Sequence, residues 1–154
     1  MEEKTLDARQ LKCIIDSCEN IRDKLLISLM WESCCRVSEC INLEHENIKV
    51  AEGTIQMENF KTANQGEIRN YRNINMTEGL KSLYEDYCNQ LKSGATYPSY
   101  VFYETTKQNN KRRMNAYDVN LLFKRIGAKT GIVLRPRDIG RIRIEALYKV
   151  TSKL

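Results

Sequence analysis

Arg22-Asp23-Lys24-Leu25-Leu26-Ile27-Ser28-Leu29-Met30-Trp31-Glu32-Ser33-Cys34-Cys35-Arg36-Val37-Ser38-Glu39-Cys40-Ile41-Asn42-Leu43 is the stretch whose reading decides the fold. Leu25, Leu26, Leu29 and Met30 recur at helical spacing, and the apolar run is too long for a single strand. It predicts a helix buried on most sides. The run ends in two cysteines, after which Arg36 opens a second short helix. Val37 and Ile41 turn that helix inward, while Ser38 and Glu39 suit its first turn. An arginine held between two buried helices is costly unless something anionic meets it. Either a carboxylate of the fold pairs with Arg36 and makes it structural, or a ligand does.

Upstream, Thr5 to Cys18 reads as an amphipathic helix with Leu11, Ile14, Ile15 and Cys18 on its inner stripe and Thr5 as its N-cap. Downstream, the period shifts from helix to strand. Asn47-Ile48-Lys49-Val50, the turn Ala51-Glu52-Gly53 and Thr54-Ile55-Gln56-Met57-Glu58 predict a hairpin. A polar turn containing Lys61 leads to a third alternating strand, Ile68 to Met76. Thr77 caps a helix from Glu78 to about Leu91, and Lys92 to Asn110 reads as loop around the apolar piece Tyr100-Val101-Phe102-Tyr103. The basic cluster Lys111-Arg112-Arg113 follows. Asn115 and Asp118 form an N-cap pair for a helix from Ala116 to Lys129, whose buried stripe is Val119, Leu122, Phe123 and Ile126. Pro136 is well placed in the first turn of a last helix. These elements predict one α+β domain over residues 1–154, mainly helical, with a small three-stranded antiparallel sheet.

The formal net charge is +5, unevenly spread. Residues 1–60 carry 7 basic and 12 acidic side chains, residues 61–123 carry 9 and 6, and residues 124–154 carry 9 and 2. A polyanion-facing side built from the later segments is implied, with a solvated basic surface as the alternative. The six cysteines form no Cys-x-x-Cys pair, and the single His45 gives no zinc-type cluster. Reduced, buried thiols and no metal are expected. No apolar run reaches membrane-spanning length and the acidic start lacks a signal-peptide pattern, so a cytoplasmic protein is expected.

Cys35-Arg36-Val37-Ser38-Glu39-Cys40-Ile41-Asn42-Leu43, with a buried helix before it and a lysine-bearing hairpin after it, resembles the tyrosine recombinase (phage integrase) family. The resemblance covers the catalytic domain from about Leu6 to Ile139 and includes Val119-Asn120-Leu121-Leu122-Phe123 running into Gly131-Ile132. It implies that Arg36 is the first catalytic arginine and that Lys61 contacts DNA and acts as general acid toward the leaving 5′ oxygen. A compact, tunable ammonium suits that role. It also implies DNA strand breakage and rejoining through a phosphotyrosyl intermediate, with no cofactor. Double-stranded DNA and other recombinase subunits are the implied partners.

The resemblance breaks at Leu134-Arg135-Pro136-Arg137-Asp138-Ile139-Gly140-Arg141. Arg137 stands at the family histidine and Gly140 at its second arginine. Arginine keeps its proton, so Arg137 can hold a phosphate but cannot act as a base. Arg137 and Arg141 lie four apart and share a helix face, which fits a grip on one phosphate helped by the helix N-terminus. Tyr148, the last tyrosine, is too near Arg137 in sequence to be the family nucleophile, and its neighbours Ala146, Leu147 and Val150 make it a packing residue. No residue is assigned as nucleophile, and the family's separate N-terminal arm is not represented. The expectation is a catalytic domain, incomplete and inactive alone, with Arg36, Lys61 and Arg137 as its site. Arg135, Arg141, Lys111, Arg112 and Arg113 are its expected DNA contacts. A DNA-binding regulatory remnant of an integrase and a protein-interaction module with an incidental basic face are the alternatives.

Overall fold

A computed structural model describes residues 5–59, 70–92 and 97–152, with the side chains of residues 59, 70 and 148–152 excepted. Lys61 and the tip of its hairpin lie outside the described residues. The backbone separates into two compact units, Met1–Val37 with Asn115–Leu154, and Ser38–Met114.

The first unit is helical. Helix α1 spans Ala8–Ser17 and starts two residues later than the Thr5 cap predicts. Asp7 caps it instead, because Asp7 and Gln10 complete a reciprocal capping box: the Gln10 N–H donates to Asp7 at 2.7 Å and the Asp7 N–H to the Gln10 side chain at 3.0 Å. Helix α2, Ile21–Ser33, is the predicted buried helix. Leu25, Leu26, Ile27, Leu29 and Met30 are buried and none of its residues is exposed. Asn20 caps it through the Asp23 N–H. Helix α3, Val37–Ile41, begins at the end of this unit.

Two further helices, labelled α5 and α6 because a fourth belongs to the second unit, complete the first. Helix α5, Ala116–Thr130, has the predicted Asn115–Asp118 capping box and the predicted stripe, with Val119, Leu122, Phe123 and Ile126 all buried. Gly131, at φ 74°, closes it in the left-handed conformation that favours glycine. Helix α6 spans Pro136–Ser152 and buries Ile139 and Ile142. Within the unit α1 packs on α2 and α5, and α6 on α2 and α5.

The second unit holds the predicted sheet: β1 (Ile48–Lys49), β2 (Thr54–Asn59) and β3 (Asn70–Asn75), antiparallel in the order β1-β2-β3. Ile55 and Met57 alternate inward along β2 and are buried. Thr77 caps helix α4, Glu78–Lys92, through the Leu80 N–H. The stretch read as loop contains a second sheet, β4 (Tyr103–Thr105) paired antiparallel with β5 (Lys111–Arg113). Its turn uses Asn109 at φ 64°, a conformation Asn tolerates better than most side chains. Val101, Phe102 and Met114 anchor this ribbon in the core.

One expectation is corrected. Cys35 and Cys40 are disulfide-bonded, whereas Cys13, Cys18, Cys34 and Cys88 are free thiols. Both are buried, and packing as a small hydrophobe does not exclude oxidation. Cys18 fits the expected inert type, its thiol pushed up to about 11 by burial.

Candidate functional site

Arg36 owes its position to the way α2 stops. Cys34 takes the left-handed conformation at φ 54° and ψ 27°, and its N–H donates to the Met30 carbonyl at 3.1 Å. The Ser33 hydroxyl donates to the Leu29 carbonyl and accepts the Cys35 N–H. The turn leaves Cys35 buried and Arg36 exposed just ahead of α3.

Helix α6 comes close to that turn. A Cβ on Gly140 would lie 3.3 Å from the Cys34 carbonyl oxygen, and the Arg143 guanidinium lies over the Trp31 ring, 5.1 Å from its centroid. Gly140 opposite Cys34 and Arg143 opposite Trp31 describe an antiparallel register. Arg36 follows Cys34 by two residues, and Arg137 precedes Gly140 by three on the first turn of α6. Both are exposed.

The first turn of α6 is held by Asp138, which is 1% exposed and accepts the Arg135 N–H at 2.8 Å. The same carboxylate accepts from the Arg141 guanidinium at 3.1 Å. Arg137 and Arg141 therefore differ: Arg141 is drawn onto the cap, whereas no carboxylate among the described residues pairs with Arg137. Arg135 is exposed beside them.

In the second unit the Lys111-Arg112-Arg113 cluster becomes strand β5, which sends Arg112 to the face opposite Lys111 and Arg113. Arg113 donates to the Asn42 side chain at 3.0 Å, lies 3.7 Å from Glu44 and sits over the Tyr100 ring at 5.1 Å. Lys111 lies over the Tyr103 ring at 5.8 Å, and Arg112 stands directly across from Glu104. A cavity of about 210 Å³ beside Arg113 is lined by Glu44, Glu46 and Glu58 as well as Asn42, Asn47 and Tyr71. Three carboxylates to one guanidinium make it unfit for phosphate.

Sequence reasoning missed several polar contacts. Glu39, 8% exposed, takes Arg72 at 3.3 Å. His45 shares a 2.8 Å hydrogen bond with the Tyr84 hydroxyl inside a ring of Tyr84, Tyr87 and Tyr97, where burial lowers its pKa. The Arg143–Trp31 stack left one readable signal, since Arg143 follows Gly140 by three and so shares its face. Among the described residues no group of His, Cys, Asp and Glu is arranged to hold a metal ion, and no helix is long and apolar enough to cross a membrane.

The sequence model of the phage integrase family matches residues 4–147. The chain belongs to that family, the tyrosine recombinases. Among relatives, transposase A from transposon Tn554 of Staphylococcus aureus is 32% identical over 133 residues, covering 84% of this chain and 37% of the relative. Tyrosine recombinase XerA of Pyrococcus horikoshii is 28% identical over 136 residues, covering 88% of this chain and 44% of the relative. The fold is that of solved recombinases. A crystal structure of XerA recombinase superposes with a TM-score of 0.77 at 18% identity, over 97% of this chain and 52% of that one. The Tn1549 transposon integrase in complex with transposon right end DNA superposes with a TM-score of 0.73 at 14% identity, over 97% and 55%. The chain thus spans less than half the length of these curated relatives and about half of these solved chains.

Proposed function

We propose that this chain is the charge-stabilising part of a site-specific DNA recombinase or integrase, binding duplex DNA and holding a backbone phosphate with Arg36 and Arg137. Support comes chiefly from the family match over residues 4–147, with Arg36 exposed ahead of α3 and Arg137 exposed on the first turn of α6. Arg137, exposed on the first turn of α6 and paired with no carboxylate among the described residues, stands where a helix N-terminus favours an anion. A phosphate in a strand-exchange reaction is such an anion, and stabilising its developing charge is usually the largest catalytic term. Lys61 keeps the role of proton donor that the family resemblance gives it. The Tn1549 transposon integrase, which has the same fold and was solved in complex with transposon right end DNA, supports DNA as the partner.

The same chain does not by itself form the phosphotyrosyl link. Gly140 offers no guanidinium where the family pattern has its second arginine, and loss of one such donor costs on the order of a hundredfold or more in rate. Arg137 cannot exchange a proton as a histidine does. A regulatory role, competing for DNA with an active recombinase, is the second reading, and these same two positions favour it. The test is to mix the chain with a nicked suicide substrate and resolve the products on a denaturing gel. No covalent band is expected, beside clear binding of the same duplex at low salt. A covalent band abolished by Tyr148→Phe contradicts the reading of Tyr148 as a packing residue, and absence of binding contradicts both functional readings.

A further inference from the structure

Arg36-Val37-Ser38-Glu39 lies between Cys35 and Cys40, and the disulfide closes that stretch into a ring. Arg36 is exposed in the ring, whereas Cys35 and Cys40 are 4% and 0% exposed. Helix α3, which starts inside the ring, has five residues. A helix of that length is marginal by itself, because its first turn fixes several dihedrals for one hydrogen bond. Covalent closure removes open conformations that the segment would otherwise visit. It thereby fixes the backbone that carries Arg36 before any ligand arrives. A buried cysteine packs as a small hydrophobe whether or not it is bonded, so breaking the bond loosens this segment and leaves the rest of the fold in place. So short a helix also opens locally at low cost, which admits a small reductant to sulfurs that are buried on the time average. Where thiols are kept reduced, the disulfides that do form are mostly transient or redox-sensing.

Resting on the reading that this chain binds duplex DNA with Arg36, we propose that the Cys35–Cys40 disulfide is a redox switch on the Arg36 segment. In the oxidised form the segment is ordered in advance and DNA is bound more tightly. In the reduced form binding must also order the segment, and affinity falls. For the reductive step, a dithiol attacks one sulfur as its thiolate and forms a mixed disulfide. Its second thiol then displaces the cysteine, and the reagent leaves as a cyclic disulfide. Two electrons pass to the chain, and Cys35 and Cys40 each gain a proton. A small-molecule disulfide reverses the step.

Cys13, Cys18, Cys34 and Cys88 are free thiols, so a reductant has no second bond to act on. The chain is purified without reductant, and its thiols are counted in denaturant before and after treatment with dithiothreitol. Counts of four and then six are expected. The two forms are compared by the anisotropy of a fluorescein-labelled duplex and by the rate of tryptic cleavage after Arg36. Reduction should weaken binding about tenfold, within the usual range for coupling between a switch and a site. It should also speed the cut after Arg36, and oxidised glutathione should restore both values. Cys35→Ala combined with Cys40→Ala should match the reduced form with and without reductant. Six thiols before reduction, or two forms with equal affinity or equal cleavage, overturn the proposal and leave DNA binding standing. No binding by either form at low salt removes the functional reading and the proposal together. If the double variant does not fold, shown by loss of its far-ultraviolet dichroism, the two forms of the unmodified chain decide alone.

Discussion

Arg113 and Arg137 sit in equally basic stretches of sequence, Lys111-Arg112-Arg113 and Arg135-Pro136-Arg137, yet their surroundings are opposite. Arg113 is half-buried and tied to Asn42, Glu44 and the Tyr100 ring. Arg137 is exposed on the first turn of α6, with the nearby Asp138 carboxylate already taken by the Arg135 N–H and by Arg141. Density of positive charge in the sequence therefore does not tell which guanidinium the fold pairs with a carboxylate. What matters is whether the fold has already supplied the counter-charge.

The largest effect that sharpens this contrast belongs to neither arginine. Asp138→Ala removes a buried acceptor that caps α6, leaving the Arg135 N–H and Arg141 without it. A loss of about 2 kcal/mol in urea unfolding is expected. If Arg137→Ala costs as much, Arg137 is structural and the contrast fails.

Next in size is the pair itself. Arg113→Ala should cost about 1–2 kcal/mol of stability, since it strands Glu44 and uncovers Tyr100, with the salt slope of DNA binding unchanged. Arg137→Ala should do the reverse. Stability stays within about 0.5 kcal/mol, while duplex affinity falls about tenfold and the slope drops by roughly one. Equal slopes in the two variants would show that the β5 ribbon also contacts DNA.

The smallest effect is a pH dependence in the second unit. His45 is held neutral, its pKa lowered by burial. Below the ordinary histidine range the unfolded chain binds a proton that the folded chain resists, so stability present at neutral pH declines as the solution is acidified through about 6.5. His45→Gln should flatten that part of the profile, measured by melting temperature between pH 7 and pH 5. An unaltered profile would place the titration elsewhere.

Much of the fold was legible because local chemistry and burial agreed. Asn115 and Asp118 announce α5, its four-residue stripe is buried as spaced, and the Leu25–Met30 run gives a helix without an exposed residue. The misses have local causes too. Thr5 lost to Asp7 because Gln10 completes a capping box that Thr5 cannot reach. The β4–β5 ribbon hid behind polar residues, although Asn109 and Asn110 were a turn signal with positive-φ tolerance. For the candidate site the sequence offered Arg36 and Arg137 through the family pattern, and it could show neither residue's surroundings. The Arg143–Trp31 stack was not legible, because it depends on a ring 112 positions away in sequence.

The central claim is that Arg36 and Arg137 act on one phosphate, and a double-mutant cycle on duplex affinity tests it most directly. Arg36→Ala, Arg137→Ala and the double variant are titrated with one duplex at one salt concentration. Residues that share a ligand group couple, so the double variant should lose less than the sum of the single losses, by about 1 kcal/mol. Losses that add to within about 0.3 kcal/mol would mean separate phosphates or no contact, and would contradict the claim.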